Sequence, residues 1–179
     1  MNLQQLAQSF LLKKKTLDQV LTTLGRELAW RAKRRAKAKF GKYQSAVGDF
    51  PAWAPLTEYT LAEKAALVLP SPSPLKRSGV LQNSVQAESS VSSGVMVVDL
   101  YSDDPRMKWH ELGFFNVKSG KSVPPRPVLG PAMLEVMNKN RGAIDSIITL
   151  AITPGYDGDT SGDFGFSGSA RGVRRRGRR

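Results

Sequence analysis

An α+β fold follows from three features of the sequence. A helical apolar stripe precedes residue 40, two extended runs meet at a Gly-containing turn near residue 93, and a second stripe follows Pro131. Their order predicts a long N-terminal helix, a small antiparallel sheet built on a β-hairpin, a short helix, and a C-terminal helix packed on the sheet. Basic extensions flank this body. The 179 residues suffice for one domain of ordinary size plus appendages. We divide them into a basic N-terminal helix belonging to the same domain (1–42), an α+β core (43–153) and a Gly/Ser/Asp/Arg-rich C-terminal extension (154–179).

The composition excludes several classes. Without cysteine there is no disulfide and no thiolate metal site. No run is long and apolar enough to cross a bilayer, so no membrane partner is expected. The opening MNLQQLAQSFLLKKK carries its lysines after its apolar residues, the reverse of a secretion signal, so a soluble protein made in the cytosol is expected.

The formal charge of +12 is unevenly placed. Residues 13–42 hold eleven Lys/Arg against Asp18 and Glu27, and RGVRRRGRR at the end adds six arginines. The remainder is mildly acidic, at −3. Basic blocks at both ends suit polyanions or acidic protein surfaces.

The first helix rests on Leu17, Val20, Leu21, Leu24, Leu28, Ala32 and Ala36, spaced three and four apart and reaching about Phe40. Thr16-Leu17-Asp18-Gln19 has the form of a capping box at its start, with residues 3–12 an earlier turn or a continuation. Arg31, Lys33, Arg34, Arg35, Lys37 and Lys39 crowd its last turns. They complement the helix dipole in a solvated face, or they meet DNA or an acidic neighbour that relieves their mutual repulsion.

Gly41 to Pro55 reads as a loop anchored by Phe50, Trp53 and Leu56. Thr60-Leu61-Ala62-Glu63 has the form of a second capping box, opening a helix to about Leu69. Pro70-Ser71-Pro72-Ser73-Pro74 reads as a stiff surface linker. The extended runs are 84–91 and 95–102, joined by Ser92-Ser93-Gly94. Met96, Val98 and Leu100 share one face, and Val95, Val97 and Tyr101 the other. Apolar residues on both faces predict cover on both sides, by helices or a neighbouring subunit.

Residues 103–131, DDPRMKWHELGFFNVKSGKSVPPRPVLGP, are expected to organise the chain. Asp104 caps a short helix, Pro105 suits its first turn and Gly113 its end. A loop of about ten residues follows, long for a compact domain. Val123, Pro124, Arg126 and Gly130 each precede proline, which forces extended backbone and makes a rigid strap. Pro131 opens the closing helix, to Ile152, with Leu134, Met137, Ile144, Ile147, Ile148 and Ala151 as its stripe. Thr153-Pro154-Gly155 ends it. The Gly/Ser/Asp/Arg remainder has the composition of a disordered tail.

Catalytic patterns are missing. His110 is the single histidine, and Phe114 stands where H-E-x-x-H needs a second. Neither G-x-S-x-G nor a phosphate-binding glycine loop occurs, so no enzyme, cofactor or metal is expected. Trp109, His110, Glu111, Gly113, Pro125, Arg126 and Pro127 are assigned to a scaffold, with Glu111 and Arg126 as an expected charge-assisted pair. Trp53, Trp109 and Phe115 are expected to pack in the core. Phe114, Phe115, Lys118 and Lys121, beside the loop, are candidate interface residues. Arg34, Arg35, Lys37, Arg171, Arg174, Arg175, Arg176, Arg178 and Arg179 are candidate contacts to DNA or an acidic partner. Base-specific recognition is not expected, because nothing rigid presents the terminal arginines to a groove. A firm grip on six phosphates, with a log–log salt slope of about −5, ill suits a conduit, which favours protein docking or transient contact.

His110-Glu111-Leu112-Gly113 followed by Pro124-Pro125-Arg126-Pro127-Val128-Leu129-Gly130-Pro131-Ala132 resembles the tail-completion or virion-morphogenesis (minor tail, neck) proteins of tailed bacteriophages. Two upstream pieces fit the same pattern: Trp53-Ala54-Pro55-Leu56 with Thr60 and Lys64, and Pro74 to Leu81 with Ser84. The resemblance spans roughly residues 50–150. It departs at Ser78, where the family often has Thr, and at Phe114-Phe115, where a small residue commonly follows the glycine. In that family the segment from Ser78 to Asn83 is a helical turn leading into a strand.

The resemblance implies a structural virion subunit made in the host cytoplasm. Such a subunit forms a homo-oligomeric ring, commonly a hexamer, that finishes the head-proximal end of the tail. Its partners are copies of itself, tail-tube or terminator proteins and the head connector, around a channel where non-specific contact with genomic DNA is open to it. The hairpin and closing helices would form the ring body, with the 113–123 loop and the termini reaching adjacent rings. A head-side connector or stopper is the nearest alternative, and a small basic DNA-binding protein is the alternative of another class.

Overall fold

A computed structural model describes residues 3–69, 72–117 and 120–153, with side chains along the first helix described from residue 16. The fold is α+β, as its sequence predicts. Helix α1 runs unbroken from Leu3 to Lys39, so Thr16 lies inside it and the Thr16–Gln19 box opens nothing. Asp18 instead accepts a hydrogen bond from the Gly94 N–H at 3.1 Å, pinning the tip of the hairpin to the helix. The predicted stripe is buried: Val20, Leu21, Leu24, Leu28, Ala32 and Ala36.

Helix α2 (Glu58–Ala66) begins earlier than the Thr60 box implies. Thr57 is its N-cap, accepting from the Thr60 N–H at 3.3 Å. The one-turn helix α3 (Val80–Asn83) leads directly into strand β1 (Val85–Ser92), which pairs antiparallel with β2 (Val95–Ser102). Ser93 and Gly94, both at positive φ, make the two-residue turn. The register puts Ala87 opposite Leu100 and Ser89 opposite Val98. Met96, Val98 and Leu100 face inward onto α1 and the closing helix α5 (Leu129–Ile152). Val95, Val97 and Tyr101 lie exposed on the outer face, which no described element covers.

Helix α4 (Arg106–Leu112) follows, with the Asp104 carboxylate accepting from the Arg106 N–H at 3.0 Å. The expected long loop after Gly113 is instead a second, small hairpin. Strand β3 (Phe114–Asn116) pairs with β4 (Lys121–Val123), bringing Phe114 opposite Val123. The proline strap then delivers the chain into α5.

Two apolar clusters hold these parts together. One joins Val20, Leu24 and Leu28 of α1 to Val136, Ile144, Ile147 and Ala151 of α5, with Met96 and Val98 beneath them. The other gathers Ala36, Phe40, Trp53, Val85, Met107, Val128 and Ala132 at the opposite end. The expected stripe of α5 is corrected at Met137, which is exposed, while Val136 and Asn140 are buried. Asn140 lies inside because it bridges the helices: it accepts from Arg31 at 3.1 Å and donates to the Val136 carbonyl at 2.7 Å. The C-terminal extension, 154–179, with its expected disorder, lies outside the described residues, as do Pro70 and Ser71 of the proline-serine linker. The rest of that linker is not a free surface segment: Pro74 is fully buried and its carbonyl accepts from the Gly41 N–H at 2.9 Å.

Candidate functional site

The start of α5 has a chemical deficit that the rest of the site answers. A helix leaves its first N–H groups without internal partners, and the first turn here contains no acidic residue and no capping side chain. Glu111 supplies the acceptor from another helix. Its Oε1 receives the Val128 N–H at 2.6 Å and the Leu129 N–H at 2.8 Å. Burial pushes the Glu111 carboxyl up from its ordinary 4.5, against the pull of the N–H groups of Leu129, Val128 and Gly130.

The strap is stitched to its surroundings at two further points. The Arg126 N–H donates to the His110 carbonyl at 2.6 Å, and the Trp53 indole N–H donates to the Pro127 carbonyl at 3.0 Å. Arg126 itself is buried. Its Nη2 donates to the carbonyls of Ala54 and Pro55 at 3.1 and 3.3 Å. The expected Glu111–Arg126 pair is therefore overturned: the carboxylate faces the α5 backbone and the guanidinium faces the 54–55 backbone. Among the described residues the Arg126 Nε–H has no acceptor, and no carboxylate pairs with this guanidinium.

Backbone contact fixes two glycines. Gly113 has φ +74°, and a Cβ there would come 2.9 Å from the Val123 carbonyl oxygen. At Gly130 a Cβ would clash with the Cζ edge of the Phe50 ring. Lysine 64 completes the upstream side, its buried Nζ donating to the carbonyls of Ser73 and Lys76 at 2.7 and 2.8 Å. The segments 53–64, 74–81, 110–113 and 124–132 thus meet around one knot. Phe50 and Trp53 were legible as anchors, but their partners were not.

The aromatic expectations divide. Trp53 is buried, whereas Trp109 and Phe115 are 52% and 61% exposed and do not belong to the core. Phe114 is half-buried, 6.0 Å from the Trp109 ring and 6.3 Å from His110. Leu112 and Val117 are also exposed, at 71% and 83%. Lys121 is exposed on β4; Lys118 lies outside the described residues. Burial lowers the His110 pKa from 6.5, with the charges of Arg126 and Arg106 acting in the same direction.

The basic helix is largely answered from within. Arg35 and Lys39 both bind the Glu135 carboxylate, Lys39 at 2.8 Å and almost wholly buried. Arg31 pairs with Glu27 at 2.6 Å, and Lys33 donates to Gln86 at 2.6 Å. Arg34 is exposed, its guanidinium 5.2 Å from the Trp30 ring centre, and Lys37 is half-buried. Of the candidate contacts on this helix, Arg35 is thus held by Glu135, whereas Arg34 and Lys37 have no carboxylate partner among the described residues. Arg171, Arg174, Arg175, Arg176, Arg178 and Arg179 lie outside the described residues. No helix among the described residues is long and apolar enough to cross a membrane.

Between α2, the 75–81 segment, α4 and β4 lies an open groove of about 1270 Å³, with Arg126 in its lining. Lys76 and Lys121 also line it. Comparison with protein-family models, curated proteins and solved structures found no match.

Proposed function

We propose that this chain is a structural subunit of a tailed-phage virion, a tail-completion or neck protein that assembles with copies of itself into a ring at the head-proximal end of the tail. One observation carries the reading. Trp109, Leu112, Phe115 and Val117, large apolar residues within nine positions of one another, are all exposed, and the elements around them are fixed by the Glu111 cap and the proline strap. Exposed apolar side chains on a rigid base suit a protein contact better than a reaction site. The outer hairpin face, with Val95, Val97 and Tyr101 exposed, offers a second contact surface as a ring requires, since cyclic assembly joins two different faces. The resemblance of residues 50–150 to such proteins supports the same reading.

Light scattering on the purified chain, followed by negative-stain imaging, tests it. A defined multi-copy mass and annular particles are expected. A persistent monomer that binds duplex DNA with a log–log salt slope of about −5, lost on deletion of residues 171–179, would instead favour the basic DNA-binding protein.

A further inference from the structure

Arg126 as a residue is 6% exposed, yet its guanidinium meets neutral carbonyls and no counter-charge among the described residues. Buried charges are ordinarily paired, because an isolated one forfeits its hydration without recompense. The groove lined by this group also carries Lys76 and Lys121, exposed at its rim and without a carboxylate partner among the described residues. Arg77 and Arg106 in the same lining are occupied by Glu63 and Asp104.

We propose that this groove binds the carboxylates of an acidic peptide segment, and that the segment is residues 156–163 of a second copy of the chain. This rests on the self-assembly proposed above. Two observations favour a peptide over a nucleic-acid backbone. Glu58 lines the groove with no ion-pair partner among the described residues and repels a continuous string of phosphates, whereas a short acidic segment can place its carboxylates clear of it. Leu56, Tyr59 and Leu81 give it an apolar wall, suited to the chain and aromatic ring of a peptide. A planar carboxylate is the natural complement of a guanidinium.

The occupant follows from charge and reach. Tyr156-Asp157-Gly158-Asp159-Thr160-Ser161-Gly162-Asp163 carries three carboxylates, and no Lys or Arg occurs between Arg141 and Arg171. Arg126 lies just before the start of α5, and the 24 residues of that helix put its far end roughly 36 Å away. Asp157 and Asp159 follow Thr153 by too few residues to return, about 14–22 Å even fully extended. Those carboxylates meet the groove only in a neighbour.

The test uses the full-length chain carrying Asp157→Asn, Asp159→Asn and Asp163→Asn as receptor, so that the tail of another copy does not compete. A fluorescein-labelled peptide of residues 153–166 is titrated into it and followed by anisotropy. Saturable binding is expected, weakened about tenfold or more by Lys76→Ala with Lys121→Ala, and equally by Asn in place of the peptide's three aspartates. Both lysines are exposed, and unchanged circular dichroism checks that the fold survives. No binding, or binding indifferent to these changes, overturns the assignment. So does a short DNA duplex that depends on the same lysines while the peptide does not bind. If the wild-type chain assembles but the peptide fails, the groove assignment falls alone. If peptide binds but the wild-type chain stays monomeric at every concentration, the second copy is excluded as its source, and the ring reading falls with it.

Discussion

Glu111 caps a helix to which it does not belong: its carboxylate receives the Leu129 N–H at 2.8 Å and the Val128 N–H at 2.6 Å, across seventeen residues of hairpin and strap. A cap supplied from α4 makes the orientation of α4 depend on the position of α5. The exposed residues Trp109 and Leu112 are fixed by the same bond.

Removing that acceptor leaves buried N–H groups unsatisfied. Glu111→Ala is expected to cost about 1–3 kcal/mol in denaturant unfolding, while Glu111→Gln keeps an acceptor oxygen and costs less. The pH dependence has a definite sign. The folded-state pKa of Glu111 is raised above 4.5, so this group's contribution is fully present below 4.5 and is lost as pH rises through the folded value. Glu111→Gln removes that part of the slope. Indistinguishable pH profiles for the two proteins would contradict the buried-carboxylate geometry.

The Lys39–Glu135–Arg35 cluster behaves oppositely. Burial pushes the Glu135 carboxyl up, but hydrogen bonds and charge from Arg35 and Lys39 outweigh it and hold the pKa below 4.5. Its stabilisation is present above 4.5 and disappears as pH falls through the folded value. Glu135→Ala strands the buried Lys39 ammonium and is expected to cost about 3 kcal/mol, with Lys39→Met restoring much of it. An additive double mutant would contradict the pairing.

Gly130→Ala is expected to destabilise by about 1–3 kcal/mol, because the new methyl enters the space of the Phe50 ring. Phe50→Ala frees that space at its own cost. In the double mutant, Gly130→Ala should then cost far less than it does alone. The same penalty in both backgrounds would show that Phe50 does not lie over Gly130.

The single histidine offers a direct probe of the knot. NMR titration of His110 is expected to give a pKa below 6.5, and Arg106→Ala should raise it by removing a nearby cation. A value at or above 6.5 in the parent would mean that His110 is solvated and the α4–strap contact is open.

Much of the framework was legible because periodicity is a local property. The α1 stripe, both hairpin strands and the closing helix appear in the structure close to where the residue pattern puts them. What failed depended on contacts between distant segments. Glu111 and Arg126 looked like a natural ion pair, yet the uncapped start of α5 and the bare 54–55 carbonyls claimed them separately. Trp109 reads as a core residue by type, but Met107 takes the inward position of that short helix and leaves the indole in solvent. The run of cations in α1 gave no hint that Glu135, nearly a hundred residues on, neutralises two of them.

Mass by light scattering, measured across a range of concentration and salt for the parent and for Leu112→Ser with Phe115→Ser, bears most directly on whether this rigid apolar surface is a subunit contact. A multi-copy parent is expected, with a variant that falls to monomer while its melting temperature barely changes, since both side chains are exposed. A parent that stays monomeric throughout, or a variant that assembles as the parent does, would contradict it.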